Sequence, residues 1–299
     1  MPKKETYLVV GSSGFLGNRI ATILKPKGSV IQTHFRNMHS PDSIPYDFFN
    51  DSISVLLDKF NVDTVIFSGA VEMNPSDLVR PAMERFVRGV KERRVVYLSS
   101  DGIFDGQKGQ YTEVDIPRPK TLYGRNLAIC EELFAQFCNS YCIVRPSYIY
   151  GFSGGDLDNR LARTMQMLEQ GQTVSLFNDM FKSPLGVLQV AQAVVDLTFL
   201  DYVGIVHVAG ERVSIFDFHY QAMLALQADI RNLRSFSMPT GEDFLRDTSL
   251  DYSLWQKLTH AVPQSINETL SNKKATQPIN SAVSNVDLPN VDLGSDHGN

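Results

Sequence analysis

The chain has 299 residues, of which 43% are hydrophobic, and its 28 Lys+Arg against 33 Asp+Glu leave a formal net charge of −5. That length and apolar content suffice for one large α/β unit or two modest ones. Acids and bases are interspersed, so no basic stripe offers itself to nucleic acid or anionic lipid, and no apolar run is long enough for a membrane span. Met1-Pro2-Lys3-Lys4-Glu5 leads directly into apolar residues rather than a signal sequence, so the expected compartment is the cytoplasm. Cys130, Cys138 and Cys142 are odd in number and lack C-x-x-C spacing, which reads as buried thiols rather than a disulfide framework. His34, His39, His207, His219, His260 and His297 are scattered, so no metal site is expected.

The most informative stretch is Thr6 to Leu24, where a buried strand (Tyr7 to Val10) breaks into Gly11, Gly14 and Gly17 and resumes as a helix with Ile20, Ile23 and Leu24 at helical spacing. Glycines let backbone approach a ligand, and a new helix points free N–H groups and its positive dipole end at that place, which suits a diphosphate. No Gly-Lys-Ser/Thr follows, so a Walker loop is excluded. Ser29 to Phe35 reads as the second strand. Its end, His34-Phe35-Arg36-Asn37, carries no acid for a ribose hydroxyl and one arginine, which favours NADP with NAD as the alternative.

A third strand is expected over Ile44 to Phe48, a helix over Ile53 to Phe60, and a fourth strand over Thr64 to Phe67. The small residues Ser68-Gly69-Ala70 then leave room for a cofactor. Pro81 to Arg93 predicts a helix and Val95 to Leu98 a fifth strand. Tyr123 to Cys138 predicts a helix with Leu127, Leu133, Phe134 and Phe137 on the sheet, and Tyr141 to Val144 a sixth strand. Repeated alternation of this kind means a parallel sheet with helices on both faces. Beyond Gly151 the alternation loosens: a helix runs from Leu157 to Leu168, another from Val187 to Leu200, and Gly204 to Val208 returns as a strand. Ser214 and Asp217 form a capping box for one more helix. Residues 1–150 with 185–208 thus read as a cofactor-binding domain and residues 151–184 with 209–270 as a smaller substrate lobe. Residues 271–299, poor in aromatics and rich in Ser, Asn, Asp and Pro, read as a disordered tail.

Ser100, after the fifth strand, and Tyr123, at the head of the next helix, lie where ligands of such sheets collect. Hydride delivery to a ketone builds negative charge on its oxygen, so a phenol proton donor beside a hydroxyl is suitable equipment.

Five ordered blocks carry a family resemblance: GSSGFLG at 11–17, SSDGIFDG at 99–106, YTEVD at 111–115, LYGRNLAICEEL at 122–133 and VRPSYIYG at 144–151. They resemble the extended short-chain dehydrogenase/reductases, within them the dTDP-4-dehydrorhamnose reductase-like sugar-nucleotide reductases, over about residues 6 to 220. The resemblance implies a Rossmann-type doubly wound α/β fold with a smaller C-terminal substrate lobe. It also implies NADP-dependent reduction of a nucleotide-linked 4-keto-6-deoxy sugar. By the same resemblance Gly11, Gly14, Phe15, Leu16 and Gly17 cradle the diphosphate and Arg36 the adenosine end. Asp47 and Phe48 lie by the adenine, Ser100 and Tyr123 meet the carbonyl, and Tyr148 lies beside the sugar nucleotide.

The chain departs from the family where a lysine stands four residues after the tyrosine, because Leu127 occupies that place and Arg125 points elsewhere. The family's Thr-Asp-Tyr is Ser100-Asp101-Gly102, and the stretch from Ser68 to Ser99 is shorter than usual. Leu127, the shortened stretch and the tail keep open an NADP-binding regulatory or scaffold protein acting on a partner enzyme, and the sequence does not separate a sugar-nucleotide epimerase or dehydratase from the reductase. A homodimer is compatible with all three.

Overall fold

The computed structural model describes residues 4–38, 40–241 and 244–271. Its centre is a seven-stranded sheet built from β1 (Thr6–Val10), β2 (Ser29–His34), β3 (Ile44–Pro45), β4 (Thr64–Phe67), β5 (Arg94–Leu98), β6 (Ser140–Pro146) and β7 (Gly204–Val208). The strands lie in the order β7-β6-β5-β4-β1-β2-β3 and every pairing is parallel. Side chains alternate across the sheet, so Leu8 and Val10 enter one apolar cluster while Tyr7 and Val9 enter the other. The first cluster is covered by α2 (Ile53–Phe60), α3 (Ser76–Val90) and α4 (Leu122–Phe137), through Leu57, Phe86, Leu127 and Phe134. α1 (Phe15–Leu24) and α6 (Val187–Phe199) cover the second, through Ile20, Leu24, Val190 and Val194. This is the doubly wound Rossmann-type α/β fold.

From β1 the chain steps outward to β2 and β3 on one side, then crosses to β4, β5 and β6 on the other. A crevice opens where the winding reverses, past the carboxyl ends of β1 and β4. Gly11 and Ser68 are the first residues beyond those ends.

A third apolar cluster lies outside the sheet, formed by Tyr150, Leu161, Leu168, Val174, Phe218, Met223, Leu233 and Leu270. It joins α5 (Asn159–Glu169), α7 (Ile215–Ala225) and a parallel ladder of Val174–Phe177 with Leu233–Phe236. Asp158 caps α5 by accepting from Leu161 N at 3.3 Å, and Ser214 caps α7 by accepting from Asp217 N at 3.0 Å. The three thiols are free and buried. Among the described residues, no helix is long and apolar enough to cross a membrane.

Three expectations need correction, and a fourth, the tail, falls almost wholly outside the described residues. β3 stops at Pro45 instead of reaching Phe48, because the Asp47 carboxylate accepts from Phe49 N at 2.9 Å and Asn50 Nδ2 at 2.7 Å and curls the chain into a turn. α3 begins at Ser76 rather than Pro81: buried Val79 anchors an extra N-terminal turn, and the helix carries Pro81 inside it at the cost of one N–H bond and crowding against the carbonyl of Asp77. Helix α8 (Ser253–Thr259), assigned to the smaller lobe on sequence, packs Trp255 into the sheet's second cluster. The tail assignment falls on residues 272–299, outside the described residues, apart from Ser271, which ends α9 (Ile266–Ser271).

Candidate active site

The crevice floor begins with the glycine turn. Gly11 has φ +79°, and a Cβ on it would come within 2.7 Å of Gly69 N and Cα. A Cβ on Gly17 would collide with Gly11 O and lie 2.6 Å from Ser68 Oγ, so only glycine lets α1 approach the two strand ends this closely. Gly14 caps α1 without any side-chain hydrogen bond, which leaves the first N–H groups, those of Phe15 and Leu16, to whatever occupies the crevice. Ser68 donates to Val10 O at 2.9 Å and so ties β4 to β1, while Ala70 is exposed at the crevice. A cradle of backbone donors closed to any Cβ fits the diphosphate of a dinucleotide.

Past the end of β2, where the adenosine end was expected by resemblance, the exposed Arg36 lies with its guanidinium 5.1 Å from the Phe35 ring centroid. Asp47 is half-buried. The Phe48 ring belongs to the core, edge-on to Phe67 with centroids 5.3 Å apart, which leaves only its backbone for a base.

Beyond β5 the chain makes a tight turn through Ser100, Asp101 and Gly102. Ser100 Oγ accepts from Gly102 N at 3.2 Å and donates to Asp101 Oδ1 at 3.1 Å. The Asp101 carboxylate is buried and receives Lys182 Nζ at 2.8 Å, Thr248 Oγ1 at 2.6 Å and Ser147 Oγ at 3.1 Å. Burial opposes its ionisation, but the charge and hydrogen bond of Lys182, with those of Thr248 and Ser100, outweigh it and hold the carboxyl below the ordinary carboxylate range. The Ser100 turn is therefore bolted to segments far away in sequence.

Tyr123 closes over this turn from α4, whose N-cap Thr121 accepts from Gly124 N at 3.0 Å. A Cβ on Gly102 would stand 2.9 Å from Tyr123 Cε1, so the glycine is what lets the phenol ring lie against the Ser100 turn. Burial pushes the Tyr123 phenol well above its usual pKa and the charge of Glu72 adds to this; a hydrogen bond with Ser100 pulls it back, Asp101 raises it, and the charge of Arg160 lowers it.

Past the end of β6, the Tyr148 ring carries the Arg160 guanidinium 3.4 Å from its centroid and packs on Phe218. The Tyr148 hydroxyl stands 3.4 Å from His219 Nε2, and His219 Nδ1 is 3.1 Å from Thr164 Oγ1. Burial, then the Arg160 charge, press His219 down to about 4, so it is neutral near pH 7. Of the residues chosen on sequence, Ser100 and Tyr123 meet at the turn after β5, while Tyr148 packs with Arg160, Phe218 and His219. Asp101, Lys182, Thr248, Arg160, His219 and Glu72 were missed.

The family model for the RmlD substrate binding domain matches residues 87–282. The chain belongs to this family. The dTDP-4-dehydrorhamnose reductase of Aggregatibacter actinomycetemcomitans is 26% identical over 234 residues, which cover 71% of this chain and 76% of that one. A hypothetical dTDP-4-dehydrorhamnose reductase from Sulfolobus tokodaii, 25% identical, superposes with a TM-score of 0.75 over 88% of this chain and 98% of its own. The Bacillus anthracis dTDP-4-dehydrorhamnose reductase solved in complex with NADP shares the fold, with a TM-score of 0.77, 93% and 100% coverage and 19% identity.

Within this RmlD-type frame the chain's departures acquire physical meaning. Leu127, where a lysine was expected by resemblance, is 1% exposed and packed in the first apolar cluster. Glu72, on the loop after β4, is 3% exposed and accepts from Tyr97 Oη at 3.0 Å. Burial raises its carboxyl to about 7 despite the hydrogen bonds from Tyr97 and the backbone. Between its ordinary value of 4.5 and about 7 the folded chain therefore holds a proton that the unfolded chain releases, so stability is intact at low pH and erodes as pH rises through that window. Glu72→Gln is expected to be more stable than wild type by about 3 kcal/mol at pH 8, and by less than about 1 kcal/mol at pH 5. Thermal melts of both proteins at the two pH values check the difference.

Proposed function

We propose that this chain is an NADPH-dependent reductase of a nucleotide-linked 4-keto-6-deoxy sugar. The observation that carries the reading is the meeting of the Tyr123 phenol and the Ser100 turn at the carboxyl end of β5, beside a diphosphate cradle at the switch point. The names of the similar reductases supply the substrate class. The backbone of Gly11, Gly14, Phe15, Leu16 and Gly17 would hold the diphosphate, Arg36 the 2′-phosphate, Asp47 and the Phe48 backbone the adenosine, and Ser68 and Ala70 the floor. When bound, NADPH supplies a hydride to the carbonyl carbon. Tyr123 gives its phenol proton to the carbonyl oxygen, Ser100 orients that oxygen, and Tyr148 lines the sugar side. Solvent then returns a proton to the phenolate.

Binding without turnover is the second reading, favoured by one observation: burial and Glu72 make the Tyr123 phenol a weaker acid than in water. Mixing purified protein with NADPH and a panel of dTDP- and GDP-linked 4-keto-6-deoxy sugars separates the two. The first reading expects NADPH consumption with at least one sugar. NADPH binding with no consumption across the panel supports the second.

A further inference from the structure

Three hydroxyls converge on the Asp101 carboxylate, and each already receives an N–H from elsewhere. Ser100 Oγ accepts from Gly102 N at 3.2 Å, Ser147 Oγ from Ser183 N at 3.2 Å, and Thr248 Oγ1 from Lys182 Nζ at 2.6 Å. Each has one proton left to give, and each gives it to Asp101: Ser147 at 3.1 Å and Thr248 at 2.6 Å to Oδ2, Ser100 at 3.1 Å to Oδ1. Such a ring of donors closes only around an acceptor, so Asp101 is ionised. Lys182 Nζ, 2.8 Å from Oδ2, is the counter-charge.

Stability is a weak reason for the pair. The Lys182 and Asp101 side chains are 15% and 7% exposed, and taking two charges out of water cancels much of what their attraction returns. Its position is a better reason. Among the described residues Oδ2 has three donors and Oδ1 has Ser100 alone, so a proton added to the carboxyl lands on Oδ1 and faces the serine. Ser100 Oγ, which also holds the Gly102 N–H, then has both lone pairs filled and its own proton turned away from Asp101. Tyr123 meets the same glycine: a Cβ on Gly102 would stand 2.9 Å from Tyr123 Cε1 and 3.7 Å from Ser100 Oγ. The charge on Asp101 therefore decides which face Ser100 presents to the phenol. Around Asp101 stand Lys182, from the strand Phe181–Lys182 paired with Val213–Ser214, the hydroxyls of Ser147 and Thr248, and Tyr123 on α4, whose phenol feels the charges of both Glu72 and Asp101.

We propose that Lys182 is a positioning residue for the reduction: its ammonium on Asp101 Oδ2 turns the Ser100 proton inward to Oδ1 and leaves the free side of Ser100 Oγ to the Tyr123 hydroxyl. This rests on the reading of Tyr123 as proton donor to a ketone, and Ser100 then acts on the carbonyl oxygen through the phenol it orients. Lys182 acts through Asp101 and Ser100.

Burial presses Asp101 toward protonation, and the Lys182 charge is the largest influence against it, so removing the cation frees burial to act. In Lys182→Met the Asp101 carboxyl carbon, followed by NMR in the full chain and assigned by its absence from Asp101→Asn, is expected to titrate at least about two pH units higher than in wild type. Turnover is expected to follow that proton: the ratio of variant to wild-type kcat falls about tenfold for each pH unit below the new pKa, with KM for the sugar little changed. Lys182→Arg keeps a cation and is expected to hold the ratio level across the same range. Thr248→Val removes one donor to Oδ2 and no charge, so it is expected to show both effects in smaller measure, and it decides the matter if Lys182→Met does not fold. An Asp101 signal that titrates as in wild type in both variants overturns the proposal. So does a kcat ratio that is the same at every pH, which would make Lys182 a structural residue. If wild type turns over no sugar, the reductase reading falls, while the carboxyl titration still decides whether Lys182 sets the charge on Asp101.

Discussion

Tyr123→Phe is expected to lower turnover by roughly 10²- to 10⁴-fold while NADPH binds as tightly as before, the range associated with loss of a general acid. The substitution is conservative for everything except chemistry. The ring packs on the partly buried edge of the first apolar cluster and closes over Gly102, and phenylalanine keeps both contacts. What disappears is the hydroxyl that interacts with Ser100. Steady-state kcat and an NADPH titration on both proteins check this. Unchanged turnover would make Tyr123 a structural residue and move the proton donor elsewhere.

The second large effect is expected at the other end of the cofactor. Any side chain at position 17 meets Gly11 O and Ser68 Oγ, and the first is backbone that cannot rotate away. Gly17→Val must therefore push α1 off the ends of β1 and β4, which overpacking puts at about 1–3 kcal/mol. Because the displaced groups are the donors proposed to hold the diphosphate, NADPH affinity is expected to fall roughly 10- to 100-fold or more. Calorimetry on wild type and Gly17→Val measures it, with thermal melts reporting how much of the loss is stability. Gly14→Ala is the informative comparison: a Cβ there meets only Gly11 O, at 3.4 Å, so the same mechanism predicts a far smaller effect.

The parts of the molecule written locally were legible in sequence. The glycine turn needs only a strand, three glycines and a helix within twenty residues, and β7 and the start of α6 fall where hydrophobic periodicity places them. Ser100 and Tyr123 could be chosen because strand ends in a parallel sheet are functional by topology. What was not legible depends on pairs distant along the chain. Lys182 and Thr248 meet Asp101 across 81 and 147 residues, and a lysine before Ser-Pro carries no signal of that partner. Glu72 read as one more loop carboxylate, and only packing against Tyr97 and α4 makes it a buried acid. Phe48 shows the converse limit. Family resemblance placed it by the adenine, but its neighbours Phe67 and Phe86 claim the ring for the core. The short ladders, such as Phe181–Lys182 with Val213–Ser214, offer too few residues for a period to register.

The central claim is that this cleft transfers a hydride from a nicotinamide to a sugar carbonyl and does not return it. Running the reaction with NADPH deuterated at the transferring position and weighing the sugar nucleotide by mass spectrometry addresses that claim directly. The account predicts one deuterium in the sugar for each NADPH oxidised, with label transfer suppressed by Tyr123→Phe. Sugar recovered without deuterium, while the protein holds its cofactor, would contradict it.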